Sequence, residues 1–94
     1  MGYRNIIVEV ISAAHENSRH KIRARPLQGQ WASIDLRMEC PTSIRKPHNI
    51  GQLYKVSAKL KETKTAPQLY TPYHWKPELV TREEAAKFIG SRNW

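Results

Sequence analysis

Three stretches of this chain alternate apolar and polar residues with a period of two. Over 20–27, Ile22 and Ala24 point one way while Lys21, Arg23 and Arg25 point the other. Over 31–40, Ile34, Leu36, Met38 and Cys40 oppose Asp35, Arg37 and Glu39. Over 53–61, Tyr54, Val56, Ala58 and Leu60 oppose Lys55, Ser57, Lys59 and Lys61. Successive side chains of a strand face opposite sides, so this pattern demands a sheet with one dry and one wet face. Residues 3–11 (YRNIIVEVI) are rich in β-branched side chains and apolar on both faces, which predicts a central strand. Residues 68–75 (QLYTPYHW) predict a fifth strand, weakened by Pro72.

The connections carry turn chemistry. Residues 12–19 are polar and hold Glu16, Asn17 and Ser18, with room for a short helical turn. Pro26 ends the second strand or confines it to an edge, and 28–30 (QGQ) turn the chain. Pro41 stops the third strand, and 41–52 hold two prolines and a glycine, with at most one helical turn over 42–46 before Pro47. Residues 62–67 read as a polar loop. At the end of the chain, Thr81 and Glu84 fit a capping box, and Ala85, Phe88 and Ile89 form one apolar stripe. A helix over 82–90 follows, with Gly90 suited to its end, its stripe docking on the chain's own sheet.

Five short strands and a terminal helix in 94 residues predict one domain, 1–94: a mainly β, small five-stranded antiparallel barrel with a C-terminal α-helix. The longer connection between strands three and four lies where an OB-fold places its helix, so the expected topology is OB-like, with an SH3-like barrel as the alternative.

Charge directs the functional reading. Lys and Arg total 16 against 8 Asp and Glu, a net charge of +8. Residues 1–47 and 48–94 each carry eight basic and four acidic groups, so the fold itself is positive rather than one tail. Such a balance points to a polyanionic partner, most often nucleic acid. No window reaches the roughly 18 apolar residues of a membrane span. The run Ile6-Ile7-Val8 is short for a signal-peptide core, and Asn5 and Ile6 follow Gly2 where a myristoylation motif wants Ser or Thr. A single cysteine, Cys40, excludes an internal disulfide, and a cytoplasmic protein is expected.

The outward cations of the second and fourth strands, Lys21, Arg23, Arg25, Lys55, Lys59 and Lys61, with Arg19 just ahead of the second strand, are the expected nucleic-acid contacts; alternate residues of a strand lie about 6.5–7 Å apart, a step suited to the phosphates of an extended single strand. Trp31, Tyr70 and Trp75 are the expected stacking platforms, with Tyr54 and Tyr73 in the same pool. The expected function is binding of single-stranded DNA or RNA with little sequence specificity. An adaptor or inhibitor binding an acidic protein is the alternative. A small ribonuclease, using His15, His20, Glu16 and Arg19, is the third reading. His15 and His20 stand five residues apart, wrong for a zincin pair, and Cys40 with His48 completes no ligand set. No metal, cofactor or catalytic residue is therefore expected, and Cys40 reads as a small hydrophobe.

Overall fold

The structure, a computed structural model, describes residues 2–13, 21–62, 66–72, 74–92 and 94. The 12–19 connection therefore falls largely outside the described residues. Among these residues six strands and one α-helix follow in order: β1 (Arg4–Ser12), β2 (Ile22–Pro26), β3 (Met38–Glu39), β4 (Leu53–Lys61), β5 (Gln68–Tyr70), β6 (Glu78–Val80) and α1 (Arg82–Ser91). The sheet runs β1-β2-β3-β5-β4, and a further β1–β4 pairing closes it into a five-stranded barrel. Strand β4 crosses to β1 instead of pairing with β3, and β5 inserts between them. This Greek-key closure makes the barrel OB-like. Every seam is antiparallel except β3–β5, which pairs Met38 with Leu69 in parallel.

Strand β1 is central, as its two apolar faces require. Ile6, Val8 and Val10 point into the barrel with Ala24, Met38, Val56, Ala58 and Leu69. Ile7 points outward and is covered by α1, in a second cluster with Leu53, Val80 and Ala85, flanked by Leu27, Phe88 and Ile89. The stripe read from the sequence thus docks on the chain's own barrel, and Trp94 packs back against Phe88 at 6.5 Å between ring centroids. Thr81 and Glu84 form the reciprocal capping box. The helix continues to Ser91, one residue past the expected end, and Arg92 rather than Gly90 takes the left-handed C-cap, at φ 56°.

Pro26 ends β2, as expected, and costs the ladder nothing because it stands opposite Val8 while the hydrogen bonds to β1 pass through flanking residues: Leu27 N–H donates to the Ile7 carbonyl at 3.1 Å. Where β2 ends, the Gln30 side chain continues it. Its Oε1 accepts from Ile7 N–H at 2.7 Å, and its Nε2 donates to the carbonyls of Ile7 at 2.8 Å and Leu27 at 3.0 Å. Gly29, at φ 95°, lets this turn pass under Ile89 of the helix.

Two expected strands are shorter than their alternation implied. Of 31–40, only Met38–Glu39 pairs as a strand. Ser33 captures the chain first: its Oγ accepts from Asp35 N–H, its carbonyl accepts from Leu36 N–H, and Ile34 turns outward at 46% exposure. Of 68–75, only Gln68–Tyr70 pairs before the chain leaves the sheet at Thr71 and Pro72. Leu60, expected inside, is 39% exposed near the end of β4. The 41–52 link holds no α-helix. Pro41 O accepts from the N–H groups of Ile44 and Arg45, Ile44 is buried in the barrel core, and Pro47 opens a 3-10 turn instead of ending one.

Two consequences are testable. Gln30→Ala strands the buried Ile7 N–H, while the Ile7 carbonyl keeps Leu27 N–H as a donor, and is expected to cost about 2 kcal/mol in chemical denaturation. At the helix cap, the Thr81 backbone N–H, and then its hydroxyl, hold the Glu84 carboxyl below its ordinary 4.5. A lowered carboxyl stabilises the fold above that value and loses its effect as the pH falls through the lowered one. The stability difference between the native chain and Glu84→Gln is therefore expected to be full at neutral pH and to vanish in acid.

Candidate functional site

Strand β4 lends one edge to two strands. Its residues 59–61 pair with β5, and its residues 53–55 pair with β6, on the edge opposite β1. Between those pairings only residues 56–58 of β4 remain on that edge, whereas seven residues separate β5 from β6 in the sequence, so the chain leaves the ladder after Tyr70. Pro72 and Pro77 have no N–H to offer the ladder. Thr71 ties the bulge down by donating its hydroxyl to the Ser57 carbonyl at 2.8 Å, and Trp75 N–H donates to the Pro72 carbonyl at 3.0 Å. A cavity of about 380 Å³ opens there, with Ser57, Tyr3, Tyr70, Pro72, His74 and Trp75 around it.

A second cavity, of about 500 Å³, lies on the other side of the same segment. Strands β3 and β5 run parallel, end side by side and then diverge at Pro41 and Thr71. Glu39, Thr42, Ser43 and Arg45 line one wall of the gap, and Leu69, Tyr70 and Thr71 line the other. Tyr70 and Thr71 therefore form a ridge between two clefts.

Register brings the cations onto this ridge. Lys59 stands opposite Tyr70, and Lys61 opposite Gln68, with paired side chains on the same face. The Lys59 ammonium lies 5.1 Å from the Tyr3 ring centroid, and that of Lys61 lies 5.4 Å from the Tyr70 ring. Tyr3 and Tyr70 are themselves 6.4 Å apart. The result is an unbroken series, Lys59–Tyr3–Tyr70–Lys61, in which each ammonium sits over a π face. From β2, Arg23 crosses the short β3 and donates to Gln68 Oε1 at 3.3 Å. Arg45 pairs with Glu39 at 3.5 Å. Trp75 is 43% exposed at the rim.

The remaining expected residues have other surroundings. Lys55 faces α1: its ammonium lies 5.4 Å from the Phe88 ring and 4.0 Å from Glu78. Arg25 pairs with Glu9 at 3.3 Å. Lys21 is exposed just ahead of β2. Trp31 is half-buried against the barrel core; its Nε1 donates to the Asn5 carbonyl at 2.9 Å, and Arg4 covers its ring at 5.0 Å. Tyr54 is a core residue. The two cationic ribbons are thus neighbours across β3 and β5 through Arg23, Lys59 and Lys61, while Lys55 and Arg25 lie toward β1 and the helix. Arg19, His15, Glu16, His20 and Tyr73 lie outside the described residues.

Three residues of the two clefts were not among the expected site residues. Tyr3 shares the outward parity of Asn5 and Ile7, but only the pairing of Arg4 with Ala58 sets it beside Lys59. Glu39 and Arg45 meet because the 41–45 turn folds back over β3. Among the described residues, no group of three or more His, Cys, Asp or Glu is arranged to hold a metal ion, and no helix is long and apolar enough to cross a membrane. Comparison with family models, curated proteins and solved structures finds no match.

Cys40 borders the larger cleft with its side chain turned into the core. Burial pushes its thiol up to about 11, against the pull of Arg45 and Arg23. The thiolate is the reactive form. At pH 8, iodoacetamide is expected to modify the native protein about 100-fold more slowly than the unfolded chain. Stability should be flat in this group below pH 9 and fall as the pH rises toward 11, because only the unfolded thiol ionises in that window.

Proposed function

We propose that this barrel binds single-stranded nucleic acid across the β2-β3-β5-β4 face, with the strand lying along the Tyr70–Thr71 ridge. The observation that carries the reading is the Lys59–Tyr3–Tyr70–Lys61 series beside the exposed indole of Trp75. Lysines on alternate positions of one strand neutralise successive phosphates, and the tyrosine rings between them offer faces for unpaired bases. A duplex hides those base faces, which favours single strands. The net charge of +8 adds long-range attraction for a polyanion. Arg23, Lys59 and Lys61 take phosphates; Tyr3, Tyr70 and Trp75 stack.

Each phosphate neutralised on a single strand contributes about −0.7 to the slope of log affinity against log salt. Three contacts give a slope near −2, measurable by fluorescence anisotropy with a labelled oligothymidylate of about 10 nucleotides. Lys59→Ala and Lys61→Ala should each reduce the magnitude of the slope by about 0.7. Tyr70→Ala should cost about 1–3 kcal/mol of binding with the slope unchanged. Lys55→Ala, on the helix side, should leave both quantities alone. Absence of binding at low salt, or an effect of Lys55→Ala equal to that of Lys59→Ala, would contradict the placement.

A further inference from the structure

The cationic face has a carboxylate in its middle. Glu39 stands opposite Arg23 in the β2–β3 register and pairs with Arg45 at 3.5 Å, yet its side chain is 65% exposed at the mouth of the larger cleft. A carboxylate accepts hydrogen bonds and donates none. It suits a neutral group that donates hydrogen bonds, so the contents of this cleft differ from those of the lysine track beside it. The cleft measures about 500 Å³, with Tyr70 along one side. The volume and the aromatic wall fit a planar ring of nucleobase size. Beside the carboxylate, the Arg45 guanidinium supplies donors, and a carboxylate with a neighbouring guanidinium reads as two acceptors next to a donor.

We propose that the cleft between the 41–45 turn and Tyr70 is a guanine pocket. This rests on the proposed single-strand binding and turns a non-specific track into one with a single preferred base. The Watson–Crick edge of guanine presents N1–H and N2–H side by side, followed by O6. The two N–H groups donate to the two oxygens of Glu39, and O6 accepts from Arg45. Adenine and cytosine present one amino group on that edge and can fill one carboxylate oxygen. Thymine and uracil place carbonyl oxygens on both sides of a single N–H, so one carbonyl would face the carboxylate. Binding in the cleft uses Tyr70 as its wall and leaves Lys59, Tyr3 and Lys61 to hold the neighbouring nucleotides.

The test compares labelled oligothymidylates of about 10 nucleotides that carry at one central position thymidine, guanosine, inosine or adenosine. A bidentate base contact discriminates by about tenfold or more, so the guanosine oligonucleotide should bind about tenfold more tightly than the all-thymidine one. Inosine, which lacks the N2 amino group, should lose most of that gain. Glu39→Gln should abolish the guanosine preference while leaving oligothymidylate affinity unchanged or tighter, since it removes a negative charge from the track. Salt-sensitive binding with no difference between guanosine and thymidine would overturn the pocket and leave the single-strand reading standing. So would a guanosine preference that inosine retains or that survives Glu39→Gln. Failure of every oligonucleotide to bind at low salt would remove both.

Discussion

The site depends on how one strand edge is shared. Strand β4 gives its edge first to β6 and then to β5, and the residues between those two pairings have no room in the ladder. Thr71 answers with a side-chain hydrogen bond to Ser57, and two prolines keep the segment from seeking ladder bonds. The bulge makes the ridge, and the ridge makes a cleft on each side. On the far flank, the parallel β3–β5 seam adds the second opening because its two strands part as soon as they end.

Barrel closure decides which charges remain available to a partner. Strand β1 is apolar on both faces, so its outer face needs a cover, and α1 supplies it over Ile7 and Leu53. That cover claims Lys55, whose ammonium lies near the Phe88 ring and Glu78. Four residues further along β4, Lys59 is beyond the helix and meets Tyr3 instead. The same strand therefore carries one lysine committed to the helix side and two on the open face. Arg23 and Arg25 divide similarly on β2, the first reaching Gln68 and the second pairing with Glu9.

Much of this was legible in the sequence because alternation and capping are local. The double-faced β1, the lysine parity of β4 and the Thr81–Glu84 box each follow from spacing within a few residues, and each stands in the structure. The connection after β3 is the long one, as its two prolines and glycine imply, although it plugs the barrel with Ile44 rather than with a helix. Alternation misled at 31–37, where it cannot register that Ser33 offers the backbone a closer partner than a neighbouring strand. The ridge was half legible. Lys59, Lys61, Tyr70 and Trp75 follow from composition and parity, whereas Tyr3, Glu39 and Arg45 reach the site only through pairings and turns distant in sequence.

The most direct test of the proposed single-strand site is an amide chemical-shift map of the isotope-labelled protein titrated with a short oligothymidylate at low salt. The account predicts that the largest shifts cluster on Tyr3, Lys59, Lys61, Tyr70, Thr71 and Trp75, with α1 and residues 53–55 of β4 unmoved. Shifts centred on α1 and the Lys55 side of the barrel, with the ridge silent, would contradict it.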